Sequence, residues 1–555
     1  MLDKNARDVA AAVAGMERSP GQEPTDVDRS LLYTSTDGRP YPSLTTSLKV
    51  GAHPVQSDSL LLEKQQAFDR MKIQERIVHP SGSSAFGRFE VTHNVSKLTK
   101  AKMFQLGQVT PAYTRFSTVT LGREYPDSAR NPRGFATKFY TEDGNYDLVG
   151  LNWPIFFVRD PWLGPDNIRS QQRNPSSFLL DFEAWFDFFA NVPESNHTGL
   201  MLLSDHGTPV GWRYMSGFGC HTFSWVNASG ERTFIKYHWL SQQGTRNHTL
   251  EEATKMCGEN PNYAKRDLWM HLAGGGKCAW QLCVQTMTPD EADKVEFDPF
   301  DVTKVWPRDQ FKMQPVGKLT LDRNPENYFR DVEQAAFSPG SMVPGIEASP
   351  DSLLLWRMFF YRDAQYHRLG VNLHQVPDGA MRVDDNNGGK PQFMPNSLQG
   401  KDKGAPLVQP STTEVPQAMY STSQMVSAPP TLARSAANFR HRGKASEYDQ
   451  ARYLWREKMS QEERQNTGKN TAFLLDTFQN AEVKTRFLAQ RFAISPDYAQ
   501  LIVASMKESK GVQLAEIEAQ SKTAHLVNVD PGHSLGMAKD TSFMGMKQCP
   551  YQFKS

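Results

Sequence analysis

The chain has 555 residues and carries 62 Lys and Arg against 61 Asp and Glu, which gives a formal charge of +1. This length predicts one large core with accessory segments, and the balanced charge removes the electrostatic argument for nucleic acid or an anionic membrane as the main partner. No segment approaches the ~18 consecutive apolar residues of a membrane span, so we expect no membrane partner.

The cysteines are few, scattered and without a Cys-x-x-Cys pair, which predicts reduced thiols rather than a disulfide framework or a zinc site. They are Cys220, Cys257, Cys278, Cys283 and Cys549. The first residues lack the apolar stretch of a secretory signal, and the last three are Phe-Lys-Ser rather than the peroxisomal Ser-Lys-Leu. We therefore expect an intracellular protein, cytoplasmic or peroxisomal.

The first half of the chain divides into a polar arm and a β-rich region. Residues 1–66 are rich in proline, with one short helical pattern near Val9–Met16, and predict an extended N-terminal arm. Residues 67–377 contain short alternating segments interrupted by Gly, Pro and Asn, which predict an antiparallel sheet or barrel. Ala112–Val119 and Thr233–Trp239 are the clearest strands because their side chains alternate with period two.

The second half predicts a long connection and then helices. Residues 378–445 are rich in Gly, Pro, Ser, Thr and Gln and predict a wrapping segment. Residues 446–508 show apolar stripes at helical spacing, a capping box formed by Ser460 and Glu463, and a helix start at Ser495-Pro496. Residues 509–555 predict a weakly structured C-terminal tail.

Common catalytic motifs are absent. The chain contains no Gly-x-Gly-x-x-Gly, no Walker A motif, no His-Glu-x-x-His and no Gly-x-Ser-x-Gly. Gly274-Gly-Gly-Lys277 lacks the spacing of a phosphate-binding loop. The usual hydrolase and nucleotidase classes therefore lose their sequence signature.

A probable helix over Leu353–Leu369 places Arg357 and Tyr361 one turn apart on one face. A guanidinium beside a phenol favours the phenolate, which is a hard anionic ligand suited to ferric iron, and Tyr is the haem ligand of catalase. Taken alone, such a pair is more often an ordinary surface or core contact.

Longer segments carry a resemblance to the haem catalases. Arg357-x-x-x-Tyr361-x-Asp363 followed by His367-Arg-Leu-Gly-x-Asn372 is similar to the proximal haem helix of that family. Further similarity lies in five segments: Phe68–His79, Gly82–Thr92, Thr114–Val119, Asn131–Ala136 and Gly217–Phe223. Val343-Pro-Gly-Ile346 and Ser349-Pro-Asp351 complete a match that runs in order over about residues 67–377, and residues near 446–508 are also similar.

The resemblance to small-subunit catalases implies an α+β fold. We expect an antiparallel eight-stranded β-barrel enclosing the haem, with the N-terminal arm, the wrapping segment and a C-terminal helical domain. It also implies haem b as the iron cofactor, peroxide as a substrate and a homotetramer whose arms cross between subunits.

The same resemblance implies roles for individual residues. His79 matches the distal acid/base that moves a peroxide proton, and Ser117 matches the residue that orients it. Tyr361 matches the iron ligand, Arg357 the residue that keeps it ionised, and His221 and Asp351 the support of Arg357. The propionate partners match Arg76, Arg115 and Arg368, and the residues packed on the haem match Val78, Gly134, Phe157 and Phe337.

The sequence departs from the family at position 151. Catalases carry Val-Gly-Asn-Asn, whose first Asn donates a hydrogen bond to peroxide, whereas this chain has Val149-Gly-Leu151-Asn152. Because neighbouring residues of an extended segment face opposite ways, Asn152 cannot replace Leu151. Losing one such contact costs about 1–3 kcal/mol, or roughly 5- to 150-fold in rate.

Other pocket positions also differ. Trp153 stands where a small polar residue is usual, and Gly164 replaces a family Phe, so we expect an aromatic wall to be lost and apolar surface to appear over the iron. The family's NADPH site is matched in part by His197, Ser204 and Trp306, and Arg308 could hold a 2′-phosphate. His206, Ser216 and Leu240 replace an Arg, an Asp and a Lys there, so the sequence leaves NADPH open.

These departures favour a haem oxidoreductase adapted to oxidise or cyclise an organic small molecule with peroxide, superoxide or oxygen. In character it is similar to the divergent fungal catalases of specialised metabolism, such as those that make chanoclavine. The alternatives are an ordinary catalase that disproportionates hydrogen peroxide to water and oxygen, and a haem-binding protein without turnover, against which the retained His79, Ser117, Arg357 and Tyr361 argue.

Overall fold

A computed structural model describes residues 33–38, 40–41, 49–54, 59–371, 373, 376, 446–507 and 511–526. The helix expected near Val9–Met16 and the wrapping segment 378–445 lie outside the described residues. Those described up to Gln74 form one compact unit and those from Glu75 on form a second. The catalytic candidates named above all lie in the second unit.

The first unit contains short strands and one helix. The strands are β1 Tyr33–Thr34, β2 Pro40–Tyr41, β3 Lys49–Val50 and β4 His53–Pro54, which pair as two small antiparallel hairpins, and the helix is α1 Ser59–Asp69. The backbone amide of Thr36 donates to Glu63 Oε2 at 2.8 Å, which ties the first hairpin to α1.

The described residues of the second unit contain ten strands that form one sheet. They are β5 Gly82–Val91, β6 Val109–Thr118, β7 Arg133–Thr141, β8 Gly144–Leu151, β9 Gly217–Phe218, β10 Phe223–Val226, β11 Arg232–Ser241, β12 Cys278–Met287, β13 Gln314–Arg323 and β14 Ile346–Ala348.

The α-helices of this unit are α2 Leu163–Ser170, α3 Phe182–Asn191, α4 Asn196–Leu203, α5 Leu250–Glu259, α6 Tyr263–Ala273, α7 Pro289–Ala292, α8 Ser352–Leu369, α9 Asp449–Tyr453, α10 Gln461–Leu475, α11 Ala481–Ile494, α12 Pro496–Ser505 and α13 Leu514–Ser521. Two segments are π-helical: Phe329–Glu333 stands alone, and Leu454–Lys458 directly continues α9. Among the described residues, no helix has both the length and the apolar character to cross a membrane.

Eight of the strands close into an antiparallel barrel. The sequence of hydrogen-bonded neighbours is β12, β13, β5, β6, β7, β8, β9 and β11, and the pairing of β11 with β12 closes the ring. β10 and β14 extend the sheet beyond β11. The expected eight-stranded barrel is confirmed, and the strands expected at Ala112–Val119 and Thr233–Trp239 correspond to β6 and β11.

The barrel interior is filled by aromatic side chains and cannot hold a cofactor. Phe116 and Phe135 meet edge to face with ring centroids 4.9 Å apart, and Trp280 packs 5.6 Å from Phe116. Because successive strand residues face opposite sides, Arg115, Ser117, Gly134 and Leu151 project outward. The expectation that the barrel encloses the haem is therefore wrong, since these predicted haem contacts lie on its outer face.

The helices after residue 446 pack on the barrel's outer helices. Phe487 of α11 meets Phe186 of α3 edge to face at 4.6 Å between ring centroids, within one apolar cluster that also contains Leu151 and Phe157. The predicted capping box is confirmed, because Ser460 Oγ accepts from Glu463 N while Glu463 accepts from Ser460 N.

The segment predicted to be a weakly structured tail includes the regular helix α13 and a following turn at Ala524–Leu526. Ile517 is fully buried, and α13 packs against α11. Burial of the Ile517 side chain against α11 stabilises α13, although the apolar pattern of α13 alone is weak. The prediction of a weakly structured tail is thus wrong over residues 511–526.

Candidate functional site

The candidate site is a cavity between the outer face of the barrel and helices α2 and α8. It contains about 680 Å³ of space free of protein atoms, including its opening to solvent. Strand β8, helix α2 and helix α8 each contribute to its wall. The lining residues include His79, Leu151, Gly164, Trp356, Phe360 and Tyr361.

His79 lies on one side of this cavity in an unusual backbone conformation. Its φ is 62°, a region that non-glycine residues rarely adopt and that costs about 1–3 kcal/mol. Two hydrogen bonds hold it there: His79 N donates to Val119 O at 2.7 Å, and Arg115 Nη1 donates to His79 O at 2.9 Å. The surrounding strands therefore fix the direction of the imidazole.

The His79 ring is oriented by a row of residues across three strands. Ser117 of β6 pairs with Gly134 of β7, and Gly134 pairs with Leu151 of β8. His79 Nδ1 lies 2.8 Å from Ser117 Oγ. A Cβ at Gly134 would lie 2.5 Å from His79 Nδ1, so the absence of a side chain there admits the ring.

The imidazole is neutral at physiological pH. Burial, together with the positive charges of Arg115, Arg357 and Arg76, lowers the pKa of His79 to about 3. With Nδ1 engaged by Ser117, the other ring nitrogen, Nε2, is left for a molecule in the cavity. A neutral imidazole in this position can accept a proton and return it.

Tyr361 lies on the opposite side of the cavity and ends a hydrogen-bonded relay. Arg357 Nη2 donates to Tyr361 Oη at 2.7 Å, and Arg357 Nη1 donates to His221 Nε2 at 2.7 Å. His221 Nδ1 then donates to Asp351 Oδ2 at 2.7 Å. Because Arg357 has no acceptor atom, it forces the His221 proton onto Nδ1. The relay leaves Tyr361 Oη as the acceptor of a charged donor.

Asp351 also caps a helix, so a substitution that keeps this cap can test the relay separately. Its Oδ1 caps helix α8 by accepting from Leu353 N and Leu354 N at 3.1 and 3.0 Å. Asparagine can keep this cap but removes the negative charge next to His221. We expect Asp351→Asn to weaken haem binding about 10- to 100-fold and to shift the tyrosinate-haem absorption spectrum.

A matched control for Asp351→Asn is Asp449→Asn, because Asp449 holds an ion pair with Arg452 at 2.9 Å and does not line the cavity. Haem titration monitored by absorbance measures both variants. Unchanged haem affinity and spectrum in Asp351→Asn would contradict the relay.

Three buried arginines lie beside the cavity with too few anions near them. Arg76 Nη2 donates to the carbonyl oxygens of Val332, Glu333 and Ala335, and Arg368 donates to those of Glu333 and Ala335. Burial and then the charge of Arg115 lower the pKa of Arg76 and Arg368, the latter to about 10.

These arginines fit the propionates of a haem. Arg76 Nη1 and Arg115 Nε are buried without a hydrogen-bond partner, and the nearest carboxylate, Glu333, is 3.9 Å from Arg76 Nη1 and shared with Arg123 at 2.8 Å. Buried unpaired guanidinium nitrogens are costly unless an anion offsets them. Together with the Tyr361 hydroxyl, this donor set matches haem.

Leu151 faces the cavity, as its register with Gly134 requires. Asn152 faces away: its Oδ1 accepts from Arg133 N at 2.8 Å and its Nδ2 donates to His206 O at 3.3 Å. The prediction that Asn152 cannot substitute for the missing amide at position 151 is confirmed.

Two expectations about the altered pocket are wrong. Trp153 lies behind the cavity wall, where its Nε1 donates to His206 O at 3.2 Å and its ring packs 6.2 Å from Phe157. The aromatic wall expected to be lost at Gly164 is supplied by Trp356, whose Cη2 lies 2.5 Å from where a Gly164 Cβ would be. The large side chain comes from α8 instead of α2.

The remaining predicted packing residues are close to the site. Val78 and Phe157 line the cavity, whereas Phe337 stacks on Tyr113 with ring centroids 5.9 Å apart, in the cluster against which Tyr361 packs. Our sequence reasoning missed Trp356 and Phe360, although their i, i+4 spacing beside Arg357 and Tyr361 was a usable signal.

A second, larger cleft of about 2490 Å³, including its opening to solvent, holds most of the residues expected for NADPH. His197, Trp306 and Arg308 line it, together with Lys236 and His238. Ser204 does not: its Oγ donates to Met201 O at 2.8 Å and caps the following turn by accepting from His206 N. The Ser204 hydroxyl is therefore used locally, and its role at an NADPH site stays a prediction.

Buried neutral histidines make this fold sensitive to acid. Burial lowers the pKa of His79, His197 and His238 to about 3, so the unfolded chain binds more protons than the folded chain between about pH 6.5 and pH 3. We expect the free energy of unfolding to decrease as pH falls through this window, by up to ~1.4 kcal/mol per pH unit for each histidine.

Urea unfolding at pH 7.5, 6.0 and 4.5 measures this effect. His238→Gln can keep the contact with Gln285, and its free energy of unfolding should fall less steeply on acidification than that of the parent. His93 is exposed, so His93→Gln should show the same pH dependence as the parent. Equal slopes in the parent and His238→Gln would contradict the assignment.

Comparisons with known proteins agree with this geometry. The family model "Catalase" matches residues 34–400, and "Catalase-related immune-responsive" matches residues 441–506. The chain is 40% identical to a catalase of Methanosarcina barkeri over 516 residues, which is 90% of this chain and 97% of that protein. It is 47% identical to a catalase of Rattus norvegicus over 361 residues, 62% of this chain and 68% of that protein.

Solved structures give the same result. A bacterial catalase structure has a TM-score of 0.77 and 34% identity, covering 88% of this chain and 97% of that chain, and a fungal catalase structure has a TM-score of 0.72 with 34% identity, covering 87% and 99%. These matches agree with the positions of His79 and Tyr361 in the cavity. We conclude that the chain belongs to the catalase family and is a haem oxidoreductase.

Proposed function

We propose that this enzyme uses hydrogen peroxide at a haem b to oxidise or cyclise an organic small molecule, of the kind formed in chanoclavine-type alkaloid synthesis, and that it disproportionates peroxide slowly. The observation that carries the proposal is Leu151, which presents an apolar side chain beside His79 where peroxide would need a hydrogen-bond donor.

The chain's own groups divide the chemistry between the two sides of the cavity. Tyr361 would ligate the iron as a phenolate stabilised by Arg357, while Arg76, Arg115 and Arg368 would hold the propionates. When bound, haem supplies the two-electron redox chemistry that peroxide reduction requires. His79 Nε2 takes a proton from one peroxide oxygen and delivers it to the other, and Ser117 keeps the imidazole in position for both transfers.

Leu151 changes the outcome because it removes a polar contact without closing the cavity. Peroxide then loses one anchor beside His79, while an apolar organic molecule gains contact area with Leu151, Phe156 and Ile168. In the overall reaction, two electrons and two protons leave the organic molecule, and one hydrogen peroxide is reduced to two waters.

The second candidate function is ordinary catalase activity, favoured by the curated catalases that are 40–47% identical to this chain. The two candidates are separated by measuring oxygen release from peroxide and peroxide-dependent loss of indole, used as a probe, in the haem-loaded enzyme. Slow oxygen release with indole turnover supports the proposal, whereas oxygen release at the rate of an ordinary catalase without indole turnover rejects it. Parallel assays with superoxide or oxygen alone identify the oxidant.

The large cleft is proposed to bind NADPH. Arg308 would contact the 2′-phosphate, and Trp306 and His197 offer ring surfaces in the same wall. NADPH fluorescence titration measures binding, and Arg308→Ala should weaken it about tenfold or more if the phosphate contact exists. Equal affinity for NADPH and NADH would oppose this part of the proposal.

We also propose a homotetramer in the cytoplasm or in peroxisomes. Leu355, Phe359 and Tyr366 form an exposed apolar stripe along α8, which a neighbouring subunit could cover. The described cysteines are all unpaired, which suits a reducing compartment. Light scattering coupled to gel filtration tests the assembly, and microscopy of a tagged protein tests the location.

A further inference from the structure

Trp356 and Phe360 form an aromatic stack beside the predicted iron ligand. They lie one turn apart in α8, with ring centroids 4.5 Å apart and planes 17° from parallel. Phe360 in turn meets the Tyr361 ring at 4.6 Å and 64°. The stack ties the Trp356 indole to the helix that carries Arg357 and Tyr361, which limits its freedom to turn away.

The tip of the indole rests on the backbone of α2. A Cβ added at Gly164 would lie 2.5 Å from Trp356 Cη2 and 2.7 Å from Cζ3, well inside the 3.5–4.0 Å separation of carbon atoms in contact. Gly164 therefore forms a seat for Trp356, meaning that the indole packs against the Gly164 backbone where any side chain would collide with it.

The Trp356 indole also lies between the cavity and solvent. Trp356 lines the cavity together with Gly164, Leu151 and Tyr361, yet it is only half-buried, so one edge of the ring faces the cavity and part of it meets solvent. It spans the gap between α2 and α8 at this point.

We propose that Trp356, seated on Gly164, is a specificity-determining residue that closes an entrance between α2 and α8 and so limits the size of molecule that reaches the cavity. This inference rests on the proposed function in one respect, that the cavity is the reaction chamber. It predicts that the indole excludes bulky ligands and leaves small ones unaffected.

Ligand entry tests the inference without turnover. The haem-loaded parent, Trp356→Ala and Trp356→Phe are mixed with cyanide or with 4-phenylimidazole, and the association rate is measured by stopped-flow absorbance. Trp356→Ala should accelerate 4-phenylimidazole about tenfold or more while changing cyanide less than about twofold. Trp356→Phe should fall between the parent and Trp356→Ala.

Trp162→Ala is the matched control, because Trp162 immediately precedes α2 but is 76% exposed and does not line the cavity. It should leave both rates unchanged. Equal acceleration of both ligands by Trp356→Ala, or no acceleration of either, would overturn the inference.

A double-mutant cycle tests the seat itself. Gly164→Ala should lower the melting temperature when Trp356 is present, by roughly 2 °C or more, because the new methyl group displaces the indole. In the Trp356→Ala or Trp356→Phe background the clash is removed or reduced, and the same change should become neutral or stabilising. The same destabilisation in all three backgrounds would show that Gly164 does not seat Trp356.

The outcomes separate this inference from the proposed function. If 4-phenylimidazole entry responds to Trp356 but indole is not oxidised, the entrance exists and the proposed reaction fails. If indole is oxidised and entry does not depend on Trp356, the reaction stands and the entrance is wrong.

Discussion

Replacing His79 with glutamine is expected to lower the rate of peroxide consumption by about 10²- to 10⁴-fold, the usual contribution of a positioned acid/base. The neutral imidazole, whose pKa is lowered to about 3 chiefly by burial, is the group beside the cavity that can both accept and return a proton. Glutamine can fill similar space but cannot carry out this exchange.

Stopped-flow measurement of peroxide consumption by the haem-loaded variant checks this prediction, and its haem content should equal that of the parent. Ser117→Ala is the companion variant: it keeps the imidazole but removes the contact of 2.8 Å at Nδ1, so we expect a smaller loss. A His79→Gln enzyme that consumes peroxide at the parental rate would remove the acid/base assignment.

Replacing Leu151 with asparagine is expected to raise the rate of oxygen release from peroxide roughly 5- to 150-fold, which corresponds to about 1–3 kcal/mol for one restored polar contact. The strand register places residue 151 directly opposite Gly134, on which the His79 ring lies. An amide at this position would face the same space as the imidazole, because the leucine already does.

Leu151→Ala is the control, since it removes the apolar side chain without supplying a hydrogen-bond donor. It should not reproduce the gain in oxygen release, and both variants should lose peroxide-dependent indole oxidation as the apolar contact is reduced. If Leu151→Asn leaves oxygen release unchanged, or Leu151→Ala raises it equally, position 151 does not determine the balance between the two reactions.

The local elements of this fold were well predicted by short-range patterns. Period-two alternation located β6 and β11, and the capping box at Ser460 located the start of α10. Helix α13 was missed because its stability comes from burial of Ile517 against α11, a contact between residues distant in sequence.

The sequence by itself determined which chemical groups this protein has: an Arg357–Tyr361 pair at helical spacing, a His79 that resembles a distal base, and a leucine at position 151. Only the tertiary structure decided where these groups meet. The barrel interior is filled with aromatic rings, so the site lies on the outer face, where Ser117, Gly134 and Leu151 align across three strands.

The same distinction explains Trp356. A single position in the sequence shows the loss of an aromatic residue at Gly164, but the replacement comes from another helix almost two hundred residues away. Because protein interiors are close-packed, a space left by one segment can be filled by a side chain from any other segment that reaches it. Side-chain types and helical or strand spacing are local properties, whereas the shape of a cavity belongs to the assembled fold.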